Sequence, residues 1–253
     1  IDGSYSCRVG KGTHKGVQRV TKMIHAVSKN NTHPCYVLKC DVRKFFDSVD
    51  HKTLFGILGR KIKDPETMLL IEKVLGSYTS DVGVFTRERE RGGGGGIPIG
   101  NLTSQIFANI YLNEFDQFIK HTLKVKNYAR YTDDFIIVSE NRNYLENLLP
   151  QLRSFLSKTL KLEIHPQKVT IREYHTGVDF LGYVIFPHYR LLRVKTKRRI
   201  IRNIKKKIDA YKRGFIFERN LEQSFQSYLG VLSHANTYRL GEYLKNQYWF
   251  WKN

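Results

Sequence analysis

The chain has 253 residues, of which 43 are lysine or arginine and 23 are aspartate or glutamate, so its formal net charge is +20. The length allows one large or two smaller domains with buried cores, so disorder is not the default expectation, and 41% of the residues are hydrophobic. Because so large an excess of positive charge repels itself in a compact state, the composition predicts a polyanionic partner, with nucleic acid favoured over phospholipid.

Targeting and redox signals are weak. No uninterrupted apolar run is long enough to span a bilayer and no charged-then-apolar leader is found at Ile1, so we expect neither a membrane span nor secretion. The three cysteines, Cys7, Cys35 and Cys40, are widely spaced and include no CxxC pair, which predicts neither a disulfide framework nor a zinc site. The expected compartment is the cytoplasm of a prokaryotic cell.

Helical spacing of apolar residues and short β-branched runs divide the first half of the chain into elements. The glycine run near its middle predicts a loop or an engineered joint. The predicted elements are a helix over residues 16–28, a buried strand in CYVLKCDV that ends at Asp41, two helices over residues 50–76 broken near Asp64 and Pro65, the glycine loop from Gly92 to Gly96, and a long helix over residues 103–123.

The second half begins with NYARYTDDFIIVSE, two apolar runs on either side of an Asp-Asp dipeptide, which predicts a hairpin with carboxylates at its tip. A shift to densely basic composition near Arg193 is the best candidate domain boundary. The remaining predicted elements are a helix over residues 143–160, short strands in KLEIH, VTIREY and VDFLGYVIF, a strongly basic helix over residues 195–213, and a helical, aromatic stretch in LEQSFQSYLGVLSHANTYRL.

The adjacent carboxylates Asp133 and Asp134 are the strongest chemical signal. Burying them unpaired is costly, and a divalent cation that neutralises them removes that cost. Carboxylates with open coordination positions suit Mg²⁺, which also takes substrate phosphates as ligands. Two such ions about 4 Å apart activate an attacking 3′-hydroxyl and stabilise a leaving pyrophosphate. A polar turn without chemistry is the alternative interpretation.

Three motifs, in this order, make the chain resemble a known family. DVRKFF at Asp41 resembles the first catalytic motif of reverse transcriptases, IPIGNLTSQ at residues 97–105 resembles their substrate-cradling motif, and YTDD at residues 131–134 resembles their Y-x-D-D hairpin. The similarity runs from SYSCRVGKGTH to FLGY at Phe180. It implies an RNA-directed DNA polymerase with an α/β right-hand fold.

The middle motif is similar to that of one subgroup. Most reverse transcriptases carry Gln where this chain has Ile99 and Pro where it has Gln105, and I-G-x-x-x-S-Q resembles diversity-generating retroelements, as does SYLGVLSHANTY. The resemblance implies error-prone cDNA synthesis from a template-repeat RNA, with errors at template adenines. A retron, group II intron or defence-type reverse transcriptase would share the carboxylates, and a non-catalytic RNA-binding protein that kept the fold is a third alternative.

The resemblance also implies roles for individual residues. Asp41, Asp133 and Asp134, with the Val42 carbonyl, are implied to hold two Mg²⁺ ions, for which Mn²⁺ is the expected substitute. Lys168 in HPQKVTI is implied to protonate the leaving pyrophosphate, with a solvated surface lysine as the alternative.

Further positions are implied for nucleotide binding. Phe46, five residues after Asp41, is expected to pack under the sugar and exclude ribonucleotides. Ile99 replaces an amide near the template base, so weaker discrimination is expected. Gly100 is expected to permit close approach of the nucleotide, and Ser104 either to cap the following helix or to contact substrate. The full predicted set is Arg8, Lys11, Phe46, Ile99, Gly100, Ser104 and Gln105.

Basic and hairpin residues complete the predicted contacts. Arg8 and Lys11 lie in a glycine-rich loop suited to phosphates. FLGY at residues 180–183 resembles the family's primer grip, with an ordinary sheet as the alternative. The helix near residues 195–212 is basic on more than one face and is expected to follow a phosphate backbone. The predicted contacts are Phe180, Leu181, Gly182 and Tyr183 for the primer, and Lys195, Lys197, Arg198, Arg199, Arg202, Lys205 and Lys206 for nucleic acid.

We therefore expect partial fingers and palm, interleaved over residues 1–186, and a mostly helical thumb over residues 187–253. The palm is expected to be a small antiparallel sheet backed by helices, with Asp41 beside the Asp-Asp hairpin. The fingers are expected to be partial because the basic stretch that family members carry before the SYSCR-like segment is not in this sequence. The expected partners are template RNA, an RNA/DNA hybrid, deoxynucleoside triphosphates and a small basic accessory protein.

Overall fold

The structure is a computed structural model that describes residues 2–76 and 95–252. The predicted loop from Gly92 to Gly96 therefore lies outside the described residues as far as Gly94. The remaining two glycines lie against residues 49–50, since Gly95 forms a bridge with Asp50 and the Gly96 amide donates to the Val49 carbonyl at 2.8 Å. The described chain forms two compact units, Ile1–Arg172 and Glu173–Asn253.

The first unit is a four-stranded sheet with helices packed against it. Strand β3 lies between β2 and β1 and is antiparallel to both, and the strand order is β2-β3-β1-β4. The elements in chain order are α1 (Thr13–Val27), β1 (Tyr36–Asp41), α2 (Phe45–Ser48), α3 (His51–Gly59), α4 (Pro65–Gly76), α5 (Leu102–Gln117) followed by a π-helical turn (Phe118–Thr122), β2 (Tyr128–Tyr131), β3 (Asp134–Ser139), α6 (Arg142–Leu160) and β4 (Thr170–Glu173).

Strand β1 is apolar along nearly its whole length because both of its faces are covered. Leu38 and Cys40 belong to the core formed with α3, α5 and α6, whereas Val37 pairs with Val138 of β3, a strand that α1 also contacts. Burial raises the pKa of the Cys40 thiol to about 12, so this thiol behaves as a small apolar side chain. The strand thus arrives at its polar last residue, Asp41, from within the core.

The hairpin that carries Asp133 and Asp134 has a two-residue connection. Strands β2 and β3 pair as Tyr131 with Asp134, so only Thr132 and Asp133 form the turn. Thr132 adopts φ 55°, in the left-handed region that such turns require. The sequence prediction of a hairpin is correct, with Asp133 at its tip and Asp134 as the first residue of β3.

The second unit combines a small antiparallel sheet with three helices. Its strands lie in the order β5-β6-β7, and the ring hydroxyl of Tyr183 donates to the Val231 carbonyl of the helical part at 3.2 Å. The elements are a short 3₁₀ turn (Tyr174–Thr176), β5 (Val178–Phe180), β6 (Tyr183–Ile185), β7 (Arg190–Leu192), α7 (Val194–Lys212), α8 (Glu218–Ser233) and α9 (Tyr238–Lys252).

The compact units divide earlier than the boundary predicted between palm and thumb. Asp179 of β5 forms an ion pair with Arg193 at the start of α7, which ties the small sheet to the helices that follow it. The division of the chain into fingers, palm and thumb at residues 186 and 187 stays a prediction.

One sequence prediction of an element needs correction. KLEIH is not a strand, because its pairing is limited to one bridge between Ile164 and Val42. The stretch from Leu221 to Leu240 is helical, as predicted, and belongs to two helices, α8 and α9; between them the Asn236 amide donates to the Arg190 carbonyl at 2.7 Å. None of the helices in the described part of the chain is long and apolar enough to cross a membrane.

Candidate active site

The backbone ladder brings the predicted carboxylates to one end of the sheet. Asp41 ends β1 and Asp134 begins β3, and their Cα atoms are direct partners in the antiparallel ladder. The Val42 amide donates to the Asp133 carbonyl at 3.2 Å, which joins the residue after β1 to the hairpin turn. Asp41 and the adjacent pair Asp133 and Asp134 are far apart in the chain, yet they occupy neighbouring backbone positions.

Two lysines neutralise part of this negative charge. Lys168 Nζ lies 3.1 Å from both carboxylate oxygens of Asp41, and Lys39 Nζ lies 3.3 Å from Asp134 Oδ2. The structure thus places Lys168 beside Asp41 with its side chain 54% exposed, and its role in catalysis stays a prediction. Sequence analysis did not identify Lys39, although a lysine two residues before Asp41 on a strand must share its face.

Burial makes the hairpin carboxylates hard to ionise. It raises the pKa of Asp134 to about 6, against the opposing effect of Lys39, and the charges of Asp41 and Asp133 add to the rise. Burial also raises the pKa of Asp133, and the Asp41 carboxylate adds to that rise. Adjacent buried carboxylates with raised pKa values are typical of functional sites.

The donor atoms suit a hard cation, but the side chains are not gathered around one. Within residues 2–76 and 95–252, no group of three or more His, Cys, Asp or Glu side chains is arranged to hold a metal ion. Asp134 is turned toward Lys39, and its second oxygen, Oδ1, is buried without a hydrogen-bond partner. Carboxylates and a backbone carbonyl are ligands that Mg²⁺ accepts, and the Oδ1 atom of Asp134 is an oxygen that could coordinate such an ion. Asp41, Asp133, Asp134 and the Val42 carbonyl therefore fit a divalent cation in kind.

A buried ion pair supports the hairpin turn, and sequence analysis missed it. The Arg130 guanidinium donates through Nε and Nη2 to the two oxygens of Asp116, at 2.8 and 2.6 Å, and the Tyr128 hydroxyl donates to the same carboxylate at 2.7 Å. Arg130 Nη1 also donates to the Thr132 carbonyl at 3.0 Å. The signal that could have revealed this contact is a lone arginine in the apolar strand YARY.

The amino-terminal segment also contacts the turn. Thr132 Oγ1 donates to Ser6 Oγ at 2.8 Å, and the Tyr5 amide donates to the Arg130 carbonyl at 2.8 Å. Arg8 Nη1 donates to the Ser4 carbonyl at 3.3 Å, whereas Lys11 Nζ donates to the Asp2 carbonyl at 3.2 Å and lies over the Tyr5 ring. The predicted phosphate contacts of Arg8 and Lys11 stay a prediction.

The predicted nucleotide pocket is divided between core and surface. Phe45 is buried, while Phe46 is half-buried and meets it edge to face with ring centroids 5.2 Å apart. Ile99 is 76% exposed, and the following Gly100 has φ 107°, a conformation that favours glycine. An exposed isoleucine beside a glycine leaves this backbone open to a ligand.

Ser104 does not cap α5, which corrects one of its two predicted roles. The N-cap residue is Asn101, and its side chain makes no capping hydrogen bond. Ser104 lies in the first turn with its Oγ buried and without a hydrogen-bond partner in the described part of the chain, and Gln105 beside it is half-buried. A contact between Ser104 and substrate stays a prediction.

The predicted primer grip is the turn of the β5–β6 hairpin. Phe180 and Tyr183 pair across the hairpin and are buried, while Leu181 and Gly182 form the turn with φ 50° and 88°. Leu181 is a non-glycine residue in the left-handed region, which is uncommon outside turns. The side chains of Phe180 and Tyr183 thus belong to the core, Leu181 and Gly182 are half-buried, and the contact of this turn with a primer stays a prediction.

Helix α7 has the amphipathic character that its sequence predicts. Ile200, Ile204 and Ile208 are buried on one face. The seven predicted nucleic-acid contacts are exposed, and within the described residues Lys205 has an aromatic neighbour, with its Nζ 4.6 Å from the Trp251 ring centroid. The exposed set is Lys195, Lys197, Arg198, Arg199, Arg202, Lys205 and Lys206.

The sequence matches one protein family and is similar to individual proteins. Residues 2–185 match the family described as reverse transcriptase (RNA-dependent DNA polymerase). The chain is 27% identical over 226 residues to Protein YkfC of Escherichia coli (strain K12), with 77% of this chain and 56% of that protein covered. It is 26% identical over 207 residues to the group II intron-encoded protein LtrA of Lactococcus lactis subsp. cremoris, with 57% of this chain and 34% of LtrA covered.

Solved structures share the fold. A telomerase from Candida tropicalis, in complex with a TWJ fragment of telomeric RNA, aligns with a TM-score of 0.57 and 13% identity over 96% of this chain and 46% of its own. The predicted α/β polymerase fold with antiparallel sheets is confirmed by this likeness. The chain spans little more than half of YkfC and about a third of LtrA. Because the family match covers most of its residues, the chain belongs to the reverse transcriptase family.

Proposed function

We propose that this chain is the catalytic part of an RNA-directed DNA polymerase. The observation that carries the proposal is the pairing of Asp41 with Asp134 across the β1–β3 ladder, with Asp133 in the adjoining turn. A protein that only bound RNA would have no need for three acidic side chains at one end of the sheet, because carboxylates repel phosphates. The positive charge of the rest of the chain supports a nucleic-acid substrate.

The reaction would be phosphoryl transfer, in which positioning and charge neutralisation do most of the catalytic work. Two divalent ions, Mg²⁺ or in its place Mn²⁺, would lower the pKa of the primer 3′-hydroxyl and neutralise the leaving pyrophosphate. Asp41, Asp133 and the Val42 carbonyl would hold these ions, with Asp134 as the second hairpin carboxylate. Asp134 would exchange its contact with Lys39 for this role.

Lys168 is suited to the leaving-group side of the reaction. Its ammonium group lies against Asp41 and is otherwise exposed, so it can shift toward the triphosphate once Asp41 has a metal ligand role. A positioned ammonium group can donate a proton to the leaving oxygen. Phe46 would lie under the sugar and exclude a 2′-hydroxyl, since its half-buried ring is fixed against Phe45.

The test of the polymerase proposal is primer extension on an RNA template with Mg²⁺. We expect extension by the wild-type chain, and loss of it in the double variant Asp133→Ala, Asp134→Ala, with the melting temperature used to show that the variant is folded. The matched control is Asp47→Ala, which removes an exposed carboxylate of α2 near the same strand. Equal extension by the wild type and the double variant would contradict the assignment.

Within the family, we propose a diversity-generating retroelement enzyme that makes errors at template adenines. Support comes from IPIGNLTSQ, in which Ile99 has no hydrogen-bonding group and is exposed beside Gly100. Apolar contacts discriminate between bases less well than hydrogen bonds do. The partners would then be a template-repeat RNA and a small basic accessory protein.

A group II intron-type reverse transcriptase is the second candidate, because LtrA is among the relatives that the chain resembles. Error spectra separate the two. We expect Ile99→Gln to lower misincorporation opposite template adenine about tenfold, with Leu102→Gln as an exposed control on the same segment. Sequencing of the cDNA gives the error rate for each template base. An unchanged rate opposite adenine in Ile99→Gln would contradict the role of Ile99, and a wild-type spectrum without an excess of errors at adenine would favour the group II intron alternative.

A further inference from the structure

The loop between α7 and α8 carries two exposed aromatic side chains. Residues 213–217 form this loop, and Phe215 and Phe217 are 76% and 83% exposed. Neither ring stacks on another ring in the described part of the chain. Exposed phenylalanines forgo the stabilisation that burial would give them, so two on one short loop indicate a contact surface.

Positively charged residues lie in this loop and next to it along the chain. Lys212, Arg213 and Arg219 are all exposed. The one acidic residue between Lys212 and Arg219 is Glu218, and it is paired with Lys252 of α9. The loop therefore presents aromatic rings in a positive field that favours a polyanion.

A third aromatic ring lies close to the loop. Lys252, which contacts Glu218 at the start of α8, has its ammonium group 5.7 Å from the centroid of the Trp249 ring. Trp249 is 62% exposed. The Lys252 ammonium group is therefore a shared neighbour of the Trp249 ring and of Glu218, the residue that follows Phe217.

We propose that this surface, formed by Phe215, Phe217 and Trp249 with its neighbouring cations, binds unpaired nucleotides of single-stranded RNA or DNA. Every base has a flat face that stacks on an aromatic ring, and cations beside the rings hold the phosphates between the bases. A duplex hides its base faces inside its own stack and offers only phosphates. The surface therefore distinguishes single strands from duplexes without reading sequence.

The proposal goes beyond the polymerase reaction and does not depend on it. Binding to this surface needs neither a divalent ion nor a nucleoside triphosphate, and none of its residues belongs to the carboxylate site. It is measured in EDTA, so that failure of primer extension leaves the binding result interpretable.

The test compares the affinities of matched variants for two probes. Fluorescence anisotropy of a labelled 12-nucleotide uridine strand and of a 12-base-pair RNA/DNA hybrid gives the dissociation constants in EDTA at several salt concentrations. The loop variant is Phe215→Ala with Phe217→Ala. The matched control is Tyr238→Ala, an 80% exposed aromatic at the other end of α9, about 21 Å along the helix from Lys252.

We expect the loop variant to bind the uridine strand at least tenfold more weakly and the hybrid within twofold of the wild type. The dependence of its affinity on salt should stay as in the wild type, because stacking releases no counterions. A variant with Lys212→Gln and Arg213→Gln should instead have a weaker salt dependence. The slope of the logarithm of the binding constant against the logarithm of the salt concentration should fall by about 0.7 for each lost phosphate contact.

Three results would overturn the proposal. The first is an unchanged affinity of the loop variant for the uridine strand, which would leave the rings to a protein or lipid partner. The second is an equal loss for strand and hybrid, which would show that the loop does not select unpaired bases. The third is an equal loss in Tyr238→Ala, which would show that any exposed ring has the same effect.

Discussion

Asp116 and Arg130 are the charged side chains that the described part of the chain buries fully, and they lie directly behind the turn that carries Asp133. Removing one partner of such a pair leaves the other charge buried and unpaired. We expect Arg130→Gln and Asp116→Asn each to lower the free energy of unfolding by about 3–5 kcal/mol. The double variant should lower the free energy of unfolding by less than the sum of the two single effects, because the two amide side chains can hydrogen-bond each other.

Urea unfolding of the four proteins in this cycle measures the coupling between the two residues. The matched control is Arg142→Gln, which breaks an exposed pair with Glu146 on α6 and should cost less than about 0.5 kcal/mol. If Arg130→Gln proved no more destabilising than Arg142→Gln, the pair would not hold the turn.

The ionised carboxylate of Asp134 destabilises the folded chain, because it is buried. Its pKa of about 6 in the folded chain lies above the ordinary value of 3.8, so the folded state favours the protonated form. Stability from this group is therefore present below the ordinary value and is lost as the pH rises through about 6. In EDTA at pH 8, we expect Asp134→Asn to be more stable than the wild type by up to about 3 kcal/mol.

The measurement is the melting temperature of both proteins across pH 4 to 8. The difference should shrink as the pH falls toward 4, because the wild-type carboxyl then becomes neutral as well. Asp47→Asn, at an exposed position, serves as the control and should show no such trend. A difference between Asp134→Asn and the wild type that stayed constant with pH would contradict the assigned cause.

The spacing of apolar residues correctly predicted the elements whose formation depends on burying one apolar face. The apolar run around Leu38 and the period of Ile200, Ile204 and Ile208 predicted β1 and α7, because burial of those residues requires these elements. KLEIH has the alternating pattern of a strand. Whether it forms a strand depends on hydrogen bonds to a neighbouring strand, and its pairing is limited to a single bridge between Ile164 and Val42. Pairing of this kind is a property of the tertiary structure.

The small sheet of the second unit depends on a glycine. Gly177 precedes β5 with φ 93°, and a Cβ there would lie 2.8 Å from Val184 Cγ1 and 2.9 Å from Phe186 Cε1. We expect Gly177→Ala to lower the free energy of unfolding by about 2–4 kcal/mol, from backbone strain and the clash together. Gly214 is the control for backbone strain alone, because it has φ 77° and open space around it. We expect Gly214→Ala to lower the free energy of unfolding by about 1 kcal/mol.

Circular dichroism melts of the two variants give the comparison within one compact unit. Equal destabilisation by Gly177→Ala and Gly214→Ala would mean that the close packing of Val184 and Phe186 contributes nothing, and that φ alone decides the cost.

For the whole molecule, the order of three motifs predicted the family and the convergence of Asp41 with the hairpin, although it could not predict how the side chains would be neutralised. Lys39 and Arg130 were missed because an isolated cation in an apolar strand has no partner until the fold supplies one. Asp116 was missed for the same reason, since it lies in a helix whose other residues are mostly apolar or exposed. The partners of charged side chains that are distant in the sequence are therefore the part of the site that the sequence alone does not predict.

The net charge of +20 is a property of the whole chain, but its effect on nucleic-acid binding depends on where the charges lie. Each phosphate contact that is lost should lower the salt dependence of binding by about 0.7 to 0.9 in slope. We expect a variant with glutamine at four exposed positions of α7 to lose about 3 in slope for an RNA/DNA hybrid. These positions are Arg198, Arg199, Arg202 and Lys206.

A second variant with the same loss of charge decides whether position or total charge matters. It replaces four exposed lysines of the first unit by glutamine, namely Lys52, Lys61, Lys126 and Lys158. If α7 lies along the phosphates, only the α7 variant changes the slope, because distant charges release no bound counterions. If both variants changed the slope equally, binding would follow the overall field of the protein and α7 would have no special place in it.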